Sequence, residues 1–66
     1  MMAESRAKYT ELARWRNGWH LIELADGRQF LRRAYRGQYQ VKAVKSGLVW
    51  VIRGMDGQRI EPSHLR

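Results

Sequence analysis

Glycine follows a turn-forming partner at Asp26-Gly27, Arg36-Gly37, Ser46-Gly47 and Asp56-Gly57, a break about every ten residues. The intervals between these breaks are short and filled with β-branched and aromatic side chains. Together they predict an antiparallel meander, because each break suits a tight turn and each interval suits a strand. Strands are expected over residues 19–24, 28–35, 38–45, 48–54 and 58–61. Pro62 has no amide hydrogen to continue a ladder, so it ends the last strand and leaves Ser63 to Leu65 for a single helical turn.

Ahead of the first strand the texture differs. "AESRAKYTELARWRNG" has no Pro, no Gly before its end, and many Ala, Glu, Arg and Leu residues. It predicts a helix over about residues 4–17, with Tyr9, Leu12, Ala13 and Arg16 at i, i+3, i+4 and i+7 and Asn17-Gly18 as the stop. The whole chain, 1–66, is expected to be one small domain: this helix followed by a β unit over about 19–66.

Opposed residues in an antiparallel pair share a face, so the turns imply a register. Two-residue loops at Arg36-Gly37 and Ser46-Gly47 would set Ala34 opposite Tyr39, Phe30 opposite Ala43, Val41 opposite Ile52 and Ala43 opposite Trp50. Three-residue loops at "ADG" and "MDG", each with Gly in the left-handed position, would add Ile22 opposite Phe30 and Ile60 opposite Ile52. One apolar face results: Ile22, Leu24, Phe30, Ala34, Tyr39, Val41, Ala43, Leu48, Trp50, Ile52 and Ile60. Arg32 fits this scheme badly. It falls on the apolar face beside Val41, so either its aliphatic stem reaches the rim or a bulge in "FLRRAY" changes the register.

Five short twisted strands do not stay flat. The fold class expected is mainly β with one N-terminal helix: a five-stranded antiparallel meander curled into a small, partly open barrel. In strand length, total size and terminal helical turn it resembles the SH3-like (Tudor-like) barrels. That layout hosts nucleic-acid binders, peptide binders and protein-docking modules, and does not choose among them.

Enzyme chemistry is not expected. Asp26 and Asp56 sit where turns favour Asp for its backbone hydrogen bonds, and Ser63-His64 has no third group to orient it as a nucleophile and base. Two histidines 44 positions apart, with no Cys, are too few for a metal site, and no glycine-rich phosphate loop occurs. No cofactor is implied. The lack of Cys fits a reducing compartment, and no apolar run approaches a spanning helix or a signal peptide, so a cytoplasmic protein without a membrane partner is expected.

Charge is the informative quantity. Thirteen Lys and Arg against six Asp and Glu leave a net charge of +7, which points to polyanionic partners. The expected outward face carries Arg33, Lys42, Arg53 and Arg59 on neighbouring strands, with Tyr35, Gln38 and Gln40 among them and Trp19 at the edge. Arg36 in the hairpin loop and Arg66 at the end would extend it. Arg pairs bidentately with phosphate, Gln can bond a base edge or sugar, and an exposed ring can stack on a base. DNA or RNA is therefore the favoured partner. The alternative is a small protein-interaction module of the phage or plasmid type, docking on an acidic protein surface with Leu31, Val44, Val49 and Val51 at its centre and the arginines at its rim. Either use is compatible with a homo-oligomer, since a partly open barrel leaves free edges.

Overall fold

A computed structural model describes residues 8–66. The described residues form one antiparallel sheet of six strands in sequential order: β1 (Tyr9–Arg14), β2 (His20–Leu24), β3 (Gln29–Arg33), β4 (Gly37–Ser46), β5 (Val49–Gly54) and β6 (Arg59–Ile60). A 3-10 turn, Pro62–His64, follows. The five expected strands are present as β2 to β6. Among the described residues no helix is long and apolar enough to cross a membrane.

The expected N-terminal helix is not seen. Its residues 4–7 lie outside the described residues, and Tyr9–Arg14 is the first strand, paired with β2 from Tyr9 opposite Leu24 to Arg14 opposite His20. A bulge between Glu11 and Ala13 explains the misleading pattern. The bulge breaks the alternation of the strand, so Leu12 and Ala13 both pack on the core, and two adjacent apolar residues imitate a helical stripe. Asn17-Gly18 is correspondingly a hairpin turn and not a helix stop. Trp15 N–H donates to Trp19 O at 2.8 Å across a three-residue loop that ends on Gly18 at φ 96°.

The same loop recurs twice. "ADG" closes with Leu24 N–H on Arg28 O and "MDG" with Gly54 N–H on Gln58 O, and in each an Asp carboxylate accepts the backbone N–H two residues on. These loops give the expected pairs Ile22 with Phe30 and Ile52 with Ile60.

The other two loops differ from expectation, with unequal consequences. Between β4 and β5 the loop residues are Gly47-Leu48, so Ala43 lies opposite Ile52 and Val41 opposite Gly54. That is a shift of two positions, which preserves the faces. Between β3 and β4 the loop is Ala34-Tyr35-Arg36, and Arg33 pairs with Gly37, Leu31 with Tyr39 and Phe30 with Gln40. This shift is odd and exchanges the faces of β2 and β3 relative to β4.

The core therefore holds Trp19, Leu21, Leu31, Val41 and Ile52, with Leu12, Ala13, Trp15, Ala43, Trp50, Ile60 and Leu65 packed against it. Of the expected apolar face, Val41, Ala43, Trp50, Ile52 and Ile60 belong to this core. Ile22, Leu24 and Phe30 lie on the opposite side, Ala34 is in a loop, and Leu48 is 96% exposed at a hairpin tip. Leu31 is fully buried, so it cannot centre an external docking surface.

The sheet is not closed by strand pairing, since β1 and β6 are its two edges. Its ends are joined by a side chain instead. Asn17 Nδ2, in the β1–β2 turn, donates to Pro62 O at 2.7 Å and Leu65 O at 3.1 Å, while its Oδ1 accepts Trp19 N–H at 3.3 Å.

Candidate nucleic-acid interface

Register decides which side chains face outward. On the side of the sheet away from the Trp19–Ile52 core, Arg32 lies opposite Gln38, and Lys42 lies opposite Arg53, which in turn lies opposite Arg59. Gln40 falls between Gln38 and Lys42 on the same side of β4. All six side chains are exposed.

Lys42, Arg53 and Arg59 thus form a row of three cations across three adjacent strands, each about 4.8 Å from the next at the backbone. Like charges placed directly opposite weaken a sheet. The row also has little internal compensation. Arg59 reaches Glu61 only at 3.5 Å, Arg53 donates to Gly57 O at 3.1 Å, and among the described residues Arg32, Lys42 and Arg53 pair with no carboxylate. The other described acids are engaged elsewhere. Asp26 binds Arg28, Glu23 accepts from Gln29, and Asp56 serves its own turn.

At the β1 end of this face, Glu11 takes Arg14 Nη2 at 2.6 Å and His20 Nδ1 at 3.0 Å. The Arg14 hydrogen bond is the main reason the Glu11 carboxyl lies below its ordinary value, against the opposing effect of desolvation. Arg32 places its guanidinium 5.7 Å from the centre of the Tyr9 ring. Because Arg32 is paired with His20 and Tyr9 with Leu24, this contact passes over Ile22, which is only 2% exposed although it sits on the polar side.

Three expected site residues move. Arg33 shares the inward side with Leu31 and packs at the rim, its Nε 3.3 Å from where a Cβ on Gly18 would stand, so it is not a neighbour of Lys42. Trp19 is 1% exposed and stacks on Tyr39 with ring centres 5.4 Å apart, which removes it from any external ligand. Tyr35 leaves the face for the β3–β4 loop at its end, where Arg36 lies as expected; both are exposed. Gln38, Gln40, Lys42, Arg53 and Arg59 lie together as expected. Arg32 is the residue the sequence reading left out, although its misfit on the apolar face already signalled that the β3–β4 register was odd by one face.

A second surface differs in character. Beyond Val41, β4 has no partner in β3 and continues with β5 as a two-stranded arm. Val44 and Val49 are 67% and 56% exposed there, on the same side as Lys42.

No protein-family model, no curated protein and no solved structure matches the chain.

Proposed function

We propose that this chain is a non-enzymatic nucleic-acid-binding domain that lays a sugar-phosphate backbone across Arg32, Lys42, Arg53 and Arg59, with Gln38 and Gln40 beside it. The observation that carries this reading is the Lys42–Arg53–Arg59 row. Three cations held in direct register cost the sheet stability and find little internal pairing, a cost that a polyanion would offset. DNA and RNA both present the required phosphates. The Asn17 link between the sheet ends supports regarding the curled meander as a small barrel of SH3-like layout.

Charge reversal tests the face against net charge alone. Lys42→Glu with Arg53→Glu should remove about two phosphate contacts and halve the salt dependence of binding to a single strand, a fall of about 1.4 in the log-log slope. Arg33→Glu with Lys45→Glu, both on the inward side and equal in charge change, serves as the control and should leave the slope near that of the parent. Equal effects from both variants would reject the face.

The exposed Val44 and Val49 favour the second reading, a module that docks on an acidic protein. It would gain if Val44→Ser with Val49→Ser abolished capture of a protein from nuclease-treated lysate while nucleic-acid binding was absent.

A further inference from the structure

We infer that Tyr35 is a base-stacking residue and that the ligand class it selects is single-stranded nucleic acid. This rests on the phosphate-binding role proposed for the sheet face. Tyr35 adopts φ 65°, the left-handed region, and is the one non-glycine residue among those described with positive φ. Bulky L-residues rarely enter that region, whereas Gly, Asn and Asp do so readily. Tyr35 is also 105% exposed, so its ring gains nothing from burial.

The turn itself does not call for a tyrosine. It is closed by Arg36 N–H on Arg33 O at 3.1 Å, a bond that any residue at position 35 would permit. A side chain that is conformationally unfavourable and unburied therefore has no role in folding that a smaller residue would not fill better. What it offers is a flat aromatic surface held clear of the protein, on a hairpin whose sequence is Arg32-Arg33-Ala34-Tyr35-Arg36.

Placement joins the ring to the rest of the site. Arg32 and Gln38 form the outward pair near the base of the same hairpin, and Gln38, Gln40 and Lys42 then follow along β4 to the cationic row. From Gly37 to Lys42 the strand covers about 17 Å. A nucleic-acid strand following β4 would set phosphates over the row and a base against Tyr35. Bases within a duplex are already stacked on both sides, so the base that takes the ring is an unpaired one. Such stacking is tolerant of sequence because every base has a π-face.

The test compares Tyr35→Asn, which suits the left-handed position, with Tyr35→Phe, which keeps the ring. The probes are a labelled homopyrimidine strand and a labelled duplex. Y35F should bind the single strand as the parent does. Y35N should weaken that binding about 5- to 150-fold, the range of one lost stacked base, with an unchanged salt slope because no phosphate contact is removed. Its duplex binding should not change. If the parent binds and Y35N holds the single strand as tightly, or loses duplex affinity equally, the role of Tyr35 is overturned while the sheet-face reading stands. If the parent binds neither probe at low salt, both fall.

Discussion

Replacing Asn17 by Ala removes three hydrogen bonds at the place where the two ends of the open sheet are tied together. Two run from Nδ2 to Pro62 O and Leu65 O, and one enters Oδ1 from Trp19 N–H. A net worth of about 0.5–1.5 kcal/mol per bond, with the longest bond at the low end, gives a loss of about 2–3 kcal/mol. A domain of this length has about 3–10 kcal/mol of stability in total, so the loss is a large share. At about 4–8 °C per kcal/mol, the melting midpoint should fall by roughly 10–20 °C. Thermal melts followed by circular dichroism would read it. Asn17→Asp refines the experiment, since it keeps the acceptor for Trp19 N–H and removes only the two donors that reach across. It should lose nearly as much as N17A. A parent-like midpoint for N17D would refute the idea that this side chain joins the sheet ends.

The β3–β4 register makes a second prediction, because it alone buries Leu31 completely. Leu31→Ala should cost about 2–5 kcal/mol in urea unfolding, and a cost under about 0.5 kcal/mol would mean the faces are not exchanged. Acid should also weaken the fold in a defined way. The carboxyls of Glu11 and Asp26 lie below their ordinary values of 4.5 and 3.8 in the folded chain, Glu11 chiefly through the Arg14 side-chain hydrogen bond and Asp26 chiefly through the Arg28 backbone N–H. The unfolded chain then takes up protons first, so this contribution is complete above the ordinary values and is lost as pH falls through the lowered ones. The urea midpoint should drop less over that range for Glu11→Gln with Asp26→Asn than for the parent. An equal drop would show that these pairs contribute nothing.

Much of this fold is written in its glycines. The ten-residue spacing locates β2 to β6 because an Asp-Gly pair before a strand supplies both a carboxylate for the turn amide and a residue tolerant of positive φ. The spacing also reaches one step further back, to Gly18, nine residues before Gly27, where "RNG" closes the same loop as "ADG" and "MDG". Helix propensity in "TELARW" conceals that repeat. Asn-Gly suits a helix end and a hairpin equally well, and the bulge at Leu12 and Ala13 removes the alternation that would have marked a strand.

The candidate site was legible where parity was secure. Lys42, Arg53 and Arg59 share a face under any even shift of β4 against β5, and Gln38 and Gln40 follow from β4 itself. Arg33 and Arg32 exchanged roles because their side relative to β4 depends on whether the loop that follows them has two or three residues. Nothing in the local sequence signals a tyrosine at left-handed φ, so the two-residue alternative looked better. Trp19 follows from the same exchange: with Leu21 inward, the residue two positions earlier turns inward as well and meets Tyr39.

The most direct test of the central claim is the salt dependence with which the parent protein binds a labelled single strand, followed by fluorescence anisotropy. Four phosphate contacts, from Arg32, Lys42, Arg53 and Arg59, predict saturable binding with a log-log slope of about −3. A flat slope, or no binding at low salt, would contradict the assignment of this face to nucleic acid.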